Sequence, residues 1–201
     1  MNSVVANSEP DDVRGHILNC AEERFRTFGY GKTTMAEIAS DAGMSAANLY
    51  RYFVNKQDLG SACADRCMEA LYTTLRNVVR APGLSAGECL EQLVIAMVRW
   101  THGHASEQPR IRELVEMIAQ ERREIVHRGD MRVDALLAEV LSRGNDTGEF
   151  EIEDVIREAQ TVHAAVRMFE VPIFMGFYDQ EMFETVGSDV VRLLLRGLRK
   201  R

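Results

Sequence analysis

Apolar residues recur every three or four positions along almost the whole chain, and the strict alternation typical of strands is nearly absent. This pattern predicts an all-α protein of about nine helices. The first helix is expected over residues 12–28, and Gly29, a typical helix stop, follows it. Its apolar stripe consists of Ile17, Ala21, Phe25 and Phe28.

A long helix is expected to begin near Lys56 and to end ahead of Pro82, because the residue before a proline avoids helical backbone angles. Its apolar face would carry Leu59, Cys63, Cys67, Leu71 and Leu75. Pro172 should bend or interrupt the penultimate helix, and the turn formers of 143–151 predict the loop before that helix. Further helices are predicted at 86–105, 108–119, 121–143, 153–177 and 180–198.

Residues 34–53 read TMAEIASDAGMSAANLYRYF, a sequence suited to two short crossed helices. Thr34 and Glu37 have the S/T-x-x-E spacing of a capping box. Gly43 can adopt the left-handed backbone angles of a tight turn, and Ser45 is a good N-cap for the helix that follows. The residues expected to face inward are Ile38, Met44, Leu49, Tyr52 and Phe53.

The second of these short helices would present a small, partly polar outer face. That face carries Ala46, Ala47, Asn48, Tyr50 and Arg51. A short helix held across another one is the arrangement with which many proteins enter the major groove of DNA. The segment therefore predicts a helix-turn-helix.

The distribution of charge also indicates this region as the part of the chain that approaches DNA. The net charge is -7, which argues against a protein that coats nucleic acid through its overall field. Basic residues nevertheless concentrate at 24–56, where five of them stand against two acidic residues. The segment suited to approach DNA is therefore also the positive one.

Residues 28–59, FGYGKTTMAEIASDAGMSAANLYRYFVNKQDL, closely resemble the DNA-binding signature of the TetR family of transcriptional regulators. The resemblance implies an N-terminal three-helix DNA-binding unit and a long fourth helix that leads into a helical ligand-binding domain. It also implies a homodimer formed through the last two helices, at about 153–177 and 180–198. The effector would be a small molecule of unknown identity.

The resemblance also assigns contacts with double-stranded operator DNA. Phosphate contacts are implied for Thr34, Asn48, Tyr50 and Lys56, and places facing base edges for Met35, Ala46, Ala47 and Arg51; Ser45 belongs to the same DNA-binding set. Ala46 and Ala47 depart from more polar versions of the motif, because alanine cannot form bidentate hydrogen bonds with bases. Arg51 or the readout of DNA shape would have to compensate.

We therefore expect a tail at 1–10, a DNA-binding domain at 11–55 and a ligand-binding and dimerisation domain at 56–201. The hypothesis is a repressor that binds a palindromic operator and is released when an effector swings the long helix. A ligand-independent DNA-binding protein or an activator is the alternative, and a small all-helical enzyme is a more remote one.

Two further sets of residues are candidates for function, one for an effector pocket and one for a dimer interface. An effector pocket could be formed by Met97, Trp100, His104, Met117, Glu121, His163 and Arg167. The apolar stripes suited to a dimer interface are Val155, Ala159, Val162, Val166 and Phe169 in one helix and Phe183, Val186, Val190 and Leu194 in the other. Either set could instead belong to the chain's own core.

Other function classes find little support in the sequence. The sequence shows neither a Ser-His-Asp order nor a phosphate-cradling glycine loop, so it does not indicate an enzyme. His102 and His104 have no cysteine or carboxylate cluster beside them, so neither a metal nor a cofactor is expected. The four cysteines are expected to be buried, reduced thiols. No apolar run approaches the ~18 to 20 residues that cross a bilayer, so we expect a cytoplasmic protein without membrane contact.

Overall fold

The computed structural model describes residues 10–107, 110, 112–172, 174 and 179–199. Within them the regular secondary structure is helical, apart from an isolated bridge between Phe150 and Arg199. The all-α prediction is confirmed. The helices are α1 (Pro10–Phe28), α2 (Met35–Asp41), α3 (Ala46–Leu49), α4 (Lys56–Val79), α5 (Ala86–Glu107), α6 (Arg112–Glu121), α7 (Arg123–Asp146), α8 (Val155–Val166) and α9 (Gln180–Leu198), with a 3-10 turn at Arg167–Phe169.

The helices form two compact units. The first contains Met1–Arg66 together with Arg110–Arg122, and the second contains Cys67–Pro109 together with Arg123–Arg201. Helix α6 thus groups with the N-terminal helices, although the sequence placed it in the ligand-binding domain. The functional boundary expected after residue 55 remains a prediction.

The core of the first unit follows the predicted stripe of α1 over most of its length. Ile17, Ala21 and Phe25 are buried, and Gly29 ends the helix with a φ of 89°. The prediction was wrong for Phe28, which is 47% exposed. Its ring lies 5.1 Å from the guanidinium carbon of Arg24, so a charged side chain covers it from one side.

Helix α5 lies at the centre of the second unit. Leu90, Leu93, Val94 and Met97 have no exposed surface, and α5 packs against α7 and α9. Helix α9 approaches closely because Gly187 has no side chain. A Cβ at Gly187 would come within 3.3 Å of Val94. None of the described helices combines the length and the apolarity needed to cross a bilayer.

The α-helix predicted at 153–177 ends much earlier, at Val166. A 3-10 turn, Arg167–Phe169, follows. Proline has no N–H to donate and its ring clashes with the carbonyl four residues earlier, so Pro172 prevents the helix from continuing through this segment. The prediction of an interruption was correct, but the predicted span was too long.

The expectation that all four cysteines are buried was also wrong. None of the four forms a disulfide, yet only Cys63 and Cys89 are buried; Cys67 is exposed and Cys20 is partly exposed. Leu59 and Leu75, at the two ends of the face predicted for α4, have no exposed surface. The predicted face is therefore interrupted only in the middle of the helix, at Cys67.

Candidate nucleic-acid interface

The predicted helix-turn-helix is present as α2, a tight turn and α3. Thr34 and Glu37 form the reciprocal capping box: the Glu37 amide donates to Thr34 Oγ1 at 3.3 Å, and the Thr34 amide donates to Glu37 Oε2 at 2.9 Å. Gly43 has a φ of 66°, and Ser45 Oγ accepts a hydrogen bond from the backbone N–H of Asn48 at 3.2 Å. These local bonds define both helix starts and the turn between them.

One side of α3 packs inward and the other faces outward. Leu49 and Phe53 are at most 1% exposed. Tyr50 is 51% exposed, and Ala47 and Arg51 are exposed as well. Ala46 and Asn48 are half-buried at the edge of this face. The outer face therefore has the residues expected from the sequence.

Two residues that precede these helices differ in their exposure. Thr34 is exposed, but its side chain is occupied with Glu37. Met35 is only 7% exposed, so its side chain packs within the unit rather than on the outer face. Met35 was assigned to the contact set only by the resemblance to the TetR family, and that assignment remains a prediction.

Lys56 has an intramolecular role that the sequence did not reveal. Its Nζ donates to the carbonyl oxygens of Tyr30 at 2.9 Å and Thr33 at 3.0 Å, and lies 3.4 Å from that of Gly31. The same nitrogen is 4.5 Å from the centre of the Tyr30 ring. Lys56 therefore joins the start of α4 to the loop between α1 and α2.

The positive charge of residues 24–56 is less available than its count suggests. Arg24 pairs with Asp41 at 2.5 Å and with Glu37 at 3.2 Å, and Arg26 pairs with Glu23. The hydrogen bond to Asp41 raises the pKa of Arg24. Hydrogen bonds from Thr34, and then the charge of Arg24, lower the pKa of Glu37.

Two cations of this segment, Lys32 and Arg51, remain exposed without a carboxylate partner in the part of the chain that the structure describes. Both lie near the helix-turn-helix in sequence, Lys32 in the loop before α2 and Arg51 two residues after α3. Unlike Arg24 and Arg26, they can meet phosphate or bases without giving up an ion pair, and unlike Lys56 they have no hydrogen bond to loop carbonyls among the described residues.

Helix α6 supports this unit from outside the predicted motif. Glu113 accepts from the Gly31 amide at 2.5 Å, and Glu121 accepts from the Gln57 amide group at 2.6 Å. A Cβ at Gly60 would stand 2.9 Å from the Tyr30 ring and 3.1 Å from Leu114. The glycines at 31 and 60 were the available sequence indication of this close packing, and periodicity alone did not reveal it.

The seven residues considered for an effector pocket fall into separate groups. Trp100 and His104 line a cavity between α4 and α5, whereas His163 and Arg167 line another between α7 and α8. Met97 is fully buried in the core of the second unit. Met117 and Glu121 belong to α6 in the first unit.

His163 lies in a chain of alternating charges. It is 1% exposed, and its Nδ1 and Nε2 are 2.6 Å from Asp134 Oδ1 and 3.0 Å from Glu170 Oε2. Burial by itself lowers the pKa of His163, but the hydrogen bond and charge of Glu170, together with the hydrogen bond of Asp134, outweigh it and raise the pKa above its usual range. Arg167 extends the chain by pairing with Asp130 and Glu170.

Among the described residues, no group of three or more His, Cys, Asp and Glu side chains is placed to hold a metal ion.

The apolar stripes suggested for a dimer interface lie mostly in the chain's own core. Five of the nine residues are buried there: Ala159, Val162, Val166, Phe169 and Phe183. The other four are partly buried against the same core. The exposed apolar residues of α8 and α9 are different ones, Ile156 at 64%, Met182 at 47% and Leu193 at 66%.

Similarity to known proteins extends over both units. Residues 17–63 match the model of bacterial regulatory proteins of the tetR family, and residues 86–191 match the tetracyclin repressor-like C-terminal domain. A probable HTH-type transcriptional regulator of Pseudomonas putida, ArpR, is 28% identical over 204 residues, covering 92% of this chain and 94% of that protein.

Solved structures show the same fold. A putative TetR-family regulator from Mesorhizobium loti is similar with a TM-score of 0.74 and 18% identity, covering 96% of this chain and 100% of that one. SmeT, the repressor of the Stenotrophomonas maltophilia multidrug efflux pump SmeDEF, is similar with a TM-score of 0.66 and 21% identity, covering 93% and 90%.

Proposed function

The chain belongs to the tetR family of bacterial regulatory proteins and is a DNA-binding transcriptional regulator, and we propose that it is a repressor released from a two-fold operator by a small-molecule effector. The observation that carries this proposal is the outward face of α3. Its inner side is fixed by Leu49 and Phe53, while Tyr50 and Arg51 are left exposed.

On this proposal, α3 enters the major groove. Arg51 reads a base edge, because it is the side chain of this face that carries several donors. Thr34, Ser45, Asn48 and Tyr50 contact phosphate oxygens, and Lys32 adds an ionic contact. Ala46 and Ala47 allow close approach and contact thymine methyl groups.

Lys56 has a supporting role in this proposal. Its ammonium group has three hydrogens, and three carbonyl oxygens lie within 3.4 Å of it. A phosphate contact would compete with these acceptors. We therefore assign Lys56 to positioning of the loop before α2.

Two-fold operators are read by two-fold dimers, whose recognition helices meet successive major grooves about 34 Å apart or a multiple of that. We place the dimer contact on the exposed apolar residues of α8 and α9, chiefly Ile156 and Leu193. Large exposed apolar side chains on neighbouring elements are typical of an association surface.

Release requires that the effector bind the form without DNA more tightly, typically by about 1 to 3 kcal/mol of coupling free energy. SmeT, which is named as a repressor, and the similarity to ArpR over nearly the full chain support a regulator of this kind.

The test is a selection of genomic fragments bound by the purified full-length protein, followed by transcription from the selected promoter. A repressor binds an inverted repeat and lowers transcription in vitro. Increased transcription would identify an activator. Failure to enrich any sequence over competitor DNA would refute the operator proposal.

A further inference from the structure

Two cavities among the described residues of the second unit are of a size to consider. One, of about 380 Å3 between α7 and α8, is lined by the paired groups around His163 and Arg167, which satisfy one another. The other, of about 450 Å3, lies between α4 and α5 and has mainly aromatic and aliphatic walls. Its size falls within the range of about 300 to 1,000 Å3 that is usual for small-molecule sites.

We propose that the cavity between α4 and α5 binds a planar, uncharged aromatic molecule. That this molecule acts as the effector rests on the proposed function. The binding site itself rests on the geometry of the lining residues, most of which lie on α5, with Val78 contributed by α4.

The aromatic wall is preformed. The rings of Trp100 and His104 are stacked, with centroids 4.1 Å apart and planes inclined by 23°. His104 Nδ1–H donates to the Trp100 carbonyl oxygen at 2.8 Å, which fixes the orientation of the imidazole. Flat aromatic molecules stack favourably on such a surface with an offset geometry. Ile95 and Val78 add aliphatic surface to the same cavity.

The charges at the rim favour an uncharged ligand. Arg99 forms two hydrogen bonds with Glu184, from Nε at 3.0 Å and from Nη2 at 2.8 Å. This ion pair leaves neither sign of charge in excess beside the cavity. A charged ligand would lose hydration there without gaining an unpaired counter-charge. Gln92, also in the lining, offers an amide donor for a carbonyl group on the ligand.

Gly103 leaves open space in the wall next to the stacked rings. Apart from its own turn of the helix, none of the described residues has an atom within 4 Å of the position that the Cβ of Gly103 would occupy. Because Gly103 lines the cavity, a larger side chain at this position would extend from that open space into the cavity. Leucine is also the better helix former, so Gly103→Leu should fold and block the site.

The probe is coumarin, a planar, uncharged, two-ring molecule with one carbonyl group. Binding to the full chain is measured by calorimetry, while the emission of Trp100, the only tryptophan of the protein, reports on the site. Coumarin is expected to bind saturably and to change the Trp100 emission in proportion. Coumarin-3-carboxylate and octahydrocoumarin, its charged and saturated relatives, should each bind at least tenfold more weakly.

The variant Gly103→Leu should bind coumarin at least tenfold more weakly than the wild type. Gly15→Leu is the matched control, because it places the same side chain in α1, where none of the described residues outside that turn has an atom within 4 Å of the added Cβ; it should bind normally. The proposal is overturned if coumarin does not bind, if its binding leaves the Trp100 emission unchanged, or if folded Gly103→Leu binds it as well as the wild type.

Equal binding of octahydrocoumarin would also overturn the assignment of an aromatic ligand. Whether the molecule acts as the effector is tested separately, by adding coumarin to the protein bound to its selected operator. Binding without release would leave the site in place and refute its role as the effector site.

Discussion

The Nζ of Lys56 lies 2.9 Å from the carbonyl oxygen of Tyr30, so a side chain of α4 closes the loop between α1 and α2. Two more carbonyl oxygens of the same loop lie within 3.4 Å of this nitrogen. Hydrogen bonds from a charged donor contribute more than neutral ones, because the ammonium group polarises each acceptor. The loop that precedes α2 is therefore held by a residue that the sequence assigned to DNA.

The variant Lys56→Met should lower the free energy of unfolding by about 1 to 3 kcal/mol, since the loop carbonyls lose their partner while the apolar stem is kept. The salt dependence of binding to nonspecific duplex DNA should stay as in the wild type. Denaturant unfolding and a salt titration measure the two effects. If the stability is unchanged and the slope of the logarithm of the binding constant against the logarithm of salt concentration falls by about 0.9 in magnitude, Lys56 would instead be a phosphate contact.

Arg51 and Lys32 should differ in their effect on specificity. The variant Arg51→Ala should lose about 1 to 3 kcal/mol of binding free energy for the selected operator and much less for unrelated DNA, because it removes a base contact. Lys32→Ala should weaken binding to the selected operator and to unrelated DNA by the same factor. Arg192→Ala, which removes a cation paired with Asp189 at 2.7 Å in α9, is the control. Equal losses on both DNAs for Arg51→Ala would exclude base readout.

Gly60 and Gly15 are both helical glycines of the first unit, but their surroundings differ. Gly60→Ala should lower the free energy of unfolding by about 1 kcal/mol or more, because the added Cβ would press on Tyr30, Leu114 and Met117. Gly15→Ala meets no atom within 4 Å and should raise it by up to about 1 kcal/mol. Urea unfolding of the two variants tests this, and a stabilised Gly60→Ala would show that α6 is not packed tightly there.

His163 should make the protein less stable as the pH rises above neutrality. The pKa of His163 is raised in the folded state, so its contribution is complete below the usual imidazole value of about 6.5 and is lost as pH rises through the raised value. The groups that face it are Asp134 on α7 and Glu170 after the 3-10 turn, with Arg167 and Asp130 beyond them.

The measurement is the free energy of unfolding between about pH 6 and 9. Glu170→Gln should flatten this decline, because the imidazolium loses one of its two negatively charged partners. Glu181→Gln, at an exposed position of α9, should leave it unchanged. A wild-type profile that rises over the same range would contradict the charged state of His163.

If the dimer contact is the one proposed, dimerisation should depend on the exposed apolar residues of α8 and α9 and not on the stripes buried in the core. Leu193→Glu and Ile156→Glu should each shift the protein toward monomers, because a carboxylate would be desolvated at the contact. Sedimentation velocity measures the shift. Met131→Glu, which changes a similarly exposed residue of α7 at 59% exposure, should not alter the oligomeric state. Dimers that survive both α8 and α9 substitutions would place the contact elsewhere.

The sequence by itself determined the helix-turn-helix and the helical class. The capping box of Thr34 and Glu37, the turn at Gly43 and the N-cap at Ser45 depend on contacts three or four residues apart, so the local sequence is sufficient to specify them. The periodic apolar spacing likewise predicts helices wherever one side of a segment is buried.

Only the tertiary structure decided which surfaces and charges are free. Lys56 and Arg24 are engaged by groups 15 or more residues away in sequence, at Tyr30 and Asp41. The same is true of the apolar stripes, because Val162 and Phe183 pack into the chain's own core and leave Ile156 and Leu193 exposed. Helical periodicity gives a residue's position around its helix, whereas the neighbour that it meets depends on how distant helices pack.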